Sequence, residues 1–225
     1  MHGKLWCKMI QVTKTPIFTQ EIFSFTLPNF ETYKKQIQQI VLVEDNKSIH
    51  KIDTSPESEC NVKAKRTAWN SNQKYESLNN LCEDIAINIE QFISKEGYDI
   101  PEIVTQHCWI NWYGKGQNAL PHHHYASISA VLFVDAEDTD ASFYCHANAN
   151  LVLHKKTDVQ TNFNNIVEIK AKDGTVLFFD GRVMHSVSPN LSNKKRITFA
   201  VNYLAKYSNA RDEYYQCSYG SNYLA

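Results

Sequence analysis

Ala119-Leu120-Pro121-His122-His123-His124-Tyr125-Ala126-Ser127 sets three consecutive imidazoles immediately before the apolar run from Ile128 to Val134. Adjacent histidines on a surface loop need no special explanation, but a run that feeds a strand does. Residues i and i+2 of a strand share a face, so His122 and His124 can converge on one point while His123 looks away. A slip of one residue in register would make His123 the ligand instead. Further on, Met184-His185-Ser186 lies on another strand-like segment and offers His185 as a third imidazole. Three protein ligands with positions left open describe a catalytic metal site rather than a closed structural one.

The sequence around this stretch is built of short strands. From Ile103 to Tyr113 the apolar pattern has a period of two, with Val104, Cys108, Ile110 and Trp112 on one face and His107, Trp109, Asn111 and Tyr113 on the other. Gly114 to Asn118 is a turn. Ser127–Asp135, Ala141–His146, Ile166–Lys170, Thr175–Phe179, Val183–Val187 and Arg196–Tyr203 follow as strands, separated by turn pairs such as Asp173-Gly174, Asp180-Gly181 and Pro189-Asn190. Strands at this spacing without helices between them point to a sandwich, barrel or jelly roll.

Helical periodicity is confined to the first hundred residues. Phe30, Tyr33, Ile37, Ile40 and Val41 recur at helical spacing after Pro28-Asn29, with Asn29 as the expected cap. Leu78, Leu81, Ile85, Ile89, Phe92 and Ile93 mark a second helix that Gly97 is placed to end. Both helices precede the strands and are expected to pack outside one sheet. Short extended pieces lie between Ile10 and Phe25, and Glu44 to Ser71 reads as a long polar surface loop. The expected fold is mainly β with flanking helices. It forms one domain over 1–225, with a helical and irregular support region (1–100), a jelly-roll core (101–206) and a polar, tyrosine-rich tail (207–225).

Composition narrows the function classes. The 23 basic and 24 acidic residues nearly cancel, so no net charge draws the chain to nucleic acid or to an anionic membrane. No apolar run approaches the ~18 residues of a membrane span, and the amino-terminal residues lack the apolar core of a signal peptide. The six cysteines show no regular spacing. They read as reduced thiols of a cytoplasmic protein.

Arg196 begins the strand Arg196-Ile197-Thr198-Phe199. Ile197, Phe199, Val201 and Tyr203 form a wholly apolar face that belongs in the core, which leaves Arg196, Thr198, Ala200 and Asn202 on the other. A guanidinium inside a sandwich is costly unless paired, and its fork suits both oxygens of a carboxylate. The alternative is an exposed arginine closing a basic turn. His107 reads as a satisfied histidine or a group supporting the metal ligands, and His146 and His154 as non-ligands. The acidic run from Asp135 to Asp140 reads as a solvated hairpin loop.

Together these residues carry a family resemblance. The order H-x-H, strand, distal His185 and Arg196 on the last strand resembles the 2-oxoglutarate- and Fe(II)-dependent oxygenases, and within them a family frequently encoded by phages and marine bacteria. Trp109-Ile110-Asn111 leading through Gly116 to His122-His123-His124 is similar to that family's W-x-N…G…H-x-H stretch. Gly174 to Phe179 resembles its strand before the distal histidine, His185 to Asn190 its H-x-V-x-P-N turn, and Arg196-Ile197-Thr198 with Asn202 its R-I-S…N ending. Arg66 to Ser71 is similar to its G-W-x-S segment but lacks the glycine.

The resemblance implies a double-stranded β-helix that holds Fe(II) on His122, His124 and His185. It also implies 2-oxoglutarate as co-substrate, anchored by Arg196 and Thr198, and dioxygen as oxidant. The expected outcome is hydroxylation of a small-molecule or peptide substrate, with release of succinate and carbon dioxide. The larger superfamily has a carboxylate where His124 stands. Two other readings stay open: a three-histidine, cupin-like dioxygenase independent of 2-oxoglutarate, and a jelly-roll binding module without catalysis.

Overall fold

The apolar alternations become ten strands and two helices in the computed structural model, which describes residues 21–46, 62–97, 102–146 and 166–206. His154, the tail after Lys206, the pieces before Glu21 and the middle of the Glu44–Ser71 stretch lie outside the described residues. In chain order the elements are β1 (Ile22–Thr26), α1 (Phe30–Asp45), β2 (Lys65–Arg66), α2 (Glu76–Lys95), β3 (Glu102–Tyr113), β4 (Ala119–His122), β5 (Ile128–Asp135), β6 (Ser142–His146), β7 (Ile166–Lys170), β8 (Thr175–Asp180), β9 (Met184–Val187) and β10 (Arg196–Lys206).

A six-stranded sheet runs β1-β8-β5-β10-β3-β2 and a four-stranded sheet runs β4-β9-β6-β7. From β3 onward the chain passes back and forth between the two sheets, and every strand pairing within them is antiparallel. This is the jelly-roll architecture expected from the sequence. The large sheet also takes both its edge strands, β1 and β2, from the first hundred residues, so that region completes the sheet as well as supporting it.

The face patterns explain the layers. Leu78, Leu81, Ile85 and Ile89 of α2 pack with Ile37 and Val41 of α1 against Cys108, Ile110, Trp112, Ile197, Phe199 and Val201 of the large sheet. Each such fully buried aliphatic side chain contributes about 1.5–3 kcal/mol. A second core fills the space between the sheets, where Phe133, Leu177 and Phe179 meet Phe143 and Cys145. Gly97 takes φ 81° after α2 and its N–H bonds to the Ser94 carbonyl at 3.0 Å, as its position predicts. No helix among the described residues is long and apolar enough to cross a membrane.

Three local expectations change. Asn29 precedes α1 in a left-handed conformation, φ 56°, and its side chain makes no capping bond; asparagine tolerates that backbone region better than most residues. The register of β3 against β10 shifts between His107–Asn202 and Thr105–Tyr203, leaving Gln106 as an extra residue. The bulge inverts the alternation, so Ile103 rather than Val104 joins the helix-side core. Finally, the end of the Glu44–Ser71 stretch is not a loose surface loop. Thr67 and Ser71 are buried. The Ile110 N–H donates to Thr67 Oγ1 at 3.0 Å, and the Cys108 N–H donates to the Trp69 carbonyl at 2.8 Å. Its polar side chains satisfy the backbone of β3 rather than meeting solvent.

Candidate metal centre and anion pocket

His185 lies on β9 with its side chain between the sheets. Cys145 is its neighbour on β6 and His122 its neighbour on β4. The imidazole is buried, stacked on Phe143 at 5.1 Å and set against the edge of Phe179 at 5.0 Å. Its Nδ1 stands 2.9 Å from the Val183 carbonyl. A carbonyl can only accept, so Nδ1 carries the proton and Nε2 keeps its lone pair for a ligand. His122 repeats the arrangement, with Nδ1 2.6 Å from the Leu120 carbonyl. Between Ala119 and His122 the register of β4 against β9 shifts, and Pro121 falls in this irregular stretch, where no ladder N–H is required.

His124 reaches the same point by a different route. The strand ends at His122, so i, i+2 alternation does not place His124 as the sequence suggested. Its backbone N–H donates to the Gly181 carbonyl at 2.7 Å in the β8–β9 turn. Gly181 is needed there because a Cβ would stand 2.3 Å from the Ala126 carbonyl oxygen. His122, His124 and His185 each offer a ligand atom within 4.8 Å of the others. Ring centroids are separated by 5.1 Å (His122–His124), 4.3 Å (His122–His185) and 5.0 Å (His124–His185). His123 is exposed and packs on Tyr125.

Burial holds all three converging imidazoles in the neutral, ligand-competent form. His185 and His122 lie below the ordinary histidine range, and His124 is pushed down to about 3 by burial and by the neighbouring His122. The donor set is one that divalent iron, copper or zinc accepts, so the residues present fit a metal.

Arg196 points into the sandwich and is fully buried. Nε donates to Thr139 Oγ1 at 3.0 Å, Nη1 to the Ser188 carbonyl at 2.6 Å and Nη2 to the Pro189 carbonyl at 3.1 Å. The Tyr113 ring lies 5.7 Å away. Burial pulls the guanidinium pKa down, yet among the described residues no carboxylate forms an ion pair with it. Among the described residues three of its five N–H groups are engaged, which leaves one on each terminal nitrogen.

The cleft between the imidazoles and the large sheet is walled by Trp109, Asn111, Val131, Phe133, Phe143 and Thr198, among others. Thr198 is buried next to Asn111 in the β10–β3 register. Asn111 Oδ1 is buried and has no hydrogen-bond partner among the described residues, which marks a polar group awaiting one. Thr139 and Asn111 were not singled out as site residues in the sequence. Thr139 lay hidden in the acidic run, which folds as a short 3-10 turn with Thr139 buried. Asn111 had a signal, a lone amide among inward-facing aromatics.

At the mouth, Trp69 is half-exposed, carries the Arg66 guanidinium 3.9 Å over its ring and meets Trp109 at 4.6 Å. Trp109 in turn lies 5.8 Å from His124. His107 Nδ1 is 2.9 Å from Asn70 Oδ1 at this rim, outside the imidazole cluster. His146 bonds Ser186 Oγ at 2.8 Å and is not part of the cluster either.

Residues 107–202 match a family model described as "Putative 2OG-Fe(II) oxygenase", the resemblance that the motifs carry. No curated protein matches the chain in sequence. Among solved structures, the epimerase SnoN from nogalamycin biosynthesis is similar with a TM-score of 0.59 at 12% identity, over 83% of this chain and 77% of that one. A prolyl hydroxylase from Trichoplax adhaerens, in complex with a peptide of a hypoxia-inducible factor, gives 0.57 at 14%, over 83% and 84%. HygX from Streptomyces hygroscopicus, with nickel and 2-oxoglutarate bound, gives 0.56 at 12%, over 84% of each chain. At these identities the likeness is one of fold.

Proposed function

We propose that this chain is an Fe(II)- and 2-oxoglutarate-dependent oxygenase that hydroxylates a small-molecule or peptide substrate. One observation carries the reading: three ligand-ready imidazoles share a cleft with Thr198 and Asn111, and Arg196 at the start of the same strand as Thr198 is buried with no carboxylate partner among the described residues. His122, His124 and His185 would hold the iron. The Val183 and Leu120 carbonyls fix the tautomers of His185 and His122 and aim their Nε2 lone pairs. Arg196 would take the far carboxylate of 2-oxoglutarate with its two remaining N–H groups, and Thr198 would add a hydroxyl. Asn111 can turn its amide to give an N–H to another oxygen of the co-substrate. Phe143 and Phe179 keep water from the side of His185. When bound, iron with 2-oxoglutarate and dioxygen supplies the oxidising power and leaves succinate and carbon dioxide as by-products.

The solved relatives of this fold include a hydroxylase and an epimerase, so the fold does not choose the substrate or the outcome. Cys82, Cys108 and Cys145 are free thiols, which suits a reducing compartment, and we place the protein in the cytoplasm, that of a phage host as the motif likeness implies. Among the described residues no carboxylate joins the imidazole cluster, which favours one second reading, a three-histidine dioxygenase in which Arg196 binds the substrate's own acid group.

The test is succinate release by iron-loaded protein supplied with 2-oxoglutarate and oxygen, alone and with panels of amino acids, peptides and nucleotides. Slow release that a substrate accelerates supports the proposal. No release above an iron-only control, with oxygen consumption that needs no 2-oxoglutarate, supports the second reading.

A further inference from the structure

The cleft carries more positive charge than its co-substrate can offset. The three converging side chains are all imidazoles, which bind a divalent metal without changing its charge, where the usual facial triad includes a carboxylate. Arg196 adds a buried cation behind Tyr113 of the cleft wall, and Asp140, the carboxylate whose field reaches it, is exposed and paired with Lys170. Among the described residues that wall the cleft there is neither aspartate nor glutamate. Divalent iron and one guanidinium outweigh the doubly negative 2-oxoglutarate by one charge. In a triad with a carboxylate the same sum is zero. The excess sits in a narrow, largely apolar space bounded by Trp109, Phe133 and Phe143, where an uncompensated charge is poorly solvated.

We propose that the cleft takes a monoanion beside 2-oxoglutarate, and that the substrate supplies it through its own carboxylate or phosphate. This rests on the oxygenase reading above. The anionic group would lie on the imidazole side of the cleft, since Arg196 is committed to the far end. His124 is the residue that sets the preference, because it stands where a carboxylate would cancel the charge. The substrate class is therefore an organic acid or a phosphorylated compound rather than a neutral or cationic one.

The experiment uses iron-loaded full-length protein with saturating 2-oxoglutarate under anaerobic conditions. It is titrated separately with acetate, chloride and acetamide. Binding is read as a change in the visible band of the complex and as heat. Acetate is expected to bind at least about tenfold more tightly than acetamide, its neutral counterpart of the same shape. Acetate ahead of chloride supports the substrate's own acid group as the source. Chloride as tight as acetate keeps the anion site but overturns the substrate as its source. In His124→Asp, acetate affinity is expected to fall about tenfold while the 2-oxoglutarate band persists. Acetamide binding as well as acetate to the wild type overturns the proposal, as does undiminished acetate affinity in His124→Asp. If that variant fails to hold iron, the acetate–acetamide comparison on the wild type decides alone. A wild type that gives no band or heat with 2-oxoglutarate itself fails the oxygenase reading, and this proposal falls with it.

Discussion

His124 is fastened to Gly181: its backbone N–H donates to the glycine carbonyl at 2.7 Å, and any Cβ at position 181 would stand 2.3 Å from the Ala126 carbonyl oxygen. The only converging imidazole that lies off a strand is therefore held by backbone packed too closely to admit a side chain. Gly181→Ala should push the His123–Ala126 segment away and weaken cobalt binding by about tenfold or more. The cobalt spectrum should shift toward that of His124→Ala. Gly174→Ala is the control, since its Cβ would meet the Phe30 ring at 3.0 Å with φ 81°, at the opposite end of β8 from Gly181. It should lower thermal stability and leave the cobalt spectrum unchanged. An unaltered spectrum in Gly181→Ala would show that the turn does not seat His124.

Adjacent histidines make a sharper comparison. His124 lies among the converging imidazoles, and His123 packs outside on Tyr125. His124→Ala should lose most metal affinity and turnover, while His123→Ala should retain both. His185→Ala should be at least as damaging as His124→Ala, because it removes the most deeply buried imidazole of the cluster. Equal losses in His123→Ala and His124→Ala would contradict the assignment.

Acid should destabilise the metal-free protein through these same groups. The folded pKa of His124 is about 3 and those of His122 and His185 are also lowered by burial, whereas an unfolded histidine titrates near 6.5. Between those values the unfolded chain binds more protons, so stability rises with pH. The contribution is complete above about pH 6.5 and is lost as pH falls toward about 3. Each histidine adds a slope of up to about 1.4 kcal/mol per pH unit. Urea unfolding between pH 7.5 and 5 would measure it. Stability should fall on acidification, and the slope should be shallower in His124→Ala. A slope identical to the wild type would remove His124 from the linkage.

Substitutions at Arg196 test co-substrate binding apart from metal binding. A charge-assisted contact to its fork is worth about 1.5–3 kcal/mol, or roughly ten- to a hundredfold in affinity. Arg196→Lys keeps charge but loses the fork, so manganese-loaded protein should bind 2-oxoglutarate more weakly while its manganese affinity stays constant. Arg196→Met should weaken binding further and can raise apo stability by removing a buried, unpaired charge. Calorimetry showing wild-type 2-oxoglutarate affinity in both variants would exclude Arg196 as the anchor.

Periodicity made most of the fold legible. Alternating runs gave the strands, the two 3.6-period stretches gave the helices, and the all-apolar face of β10 placed Arg196 on the inside. What periodicity missed depends on non-local pairing. The bulge at Gln106 inverts the face of Ile103 and Val104, and only the partner strand reveals it. Thr139 reaches Arg196 because the acidic run folds back as a 3-10 turn. His124 joins the cluster through the β8–β9 turn rather than by the strand alternation that the sequence suggests. The Arg66–Ser71 segment looked like a surface loop because its polar residues serve the backbone of β3 instead of water.

On the proposed function, the imidazole cluster and Arg196 together form one site for iron and 2-oxoglutarate. Its most direct test is an anaerobic titration of iron-loaded protein with 2-oxoglutarate, followed by visible absorption. A weak charge-transfer band that grows to saturation at one equivalent per chain is the predicted result, absent in His185→Ala and shifted to higher 2-oxoglutarate concentration in Arg196→Met. Tight iron binding with neither band nor heat on adding 2-oxoglutarate would contradict the account.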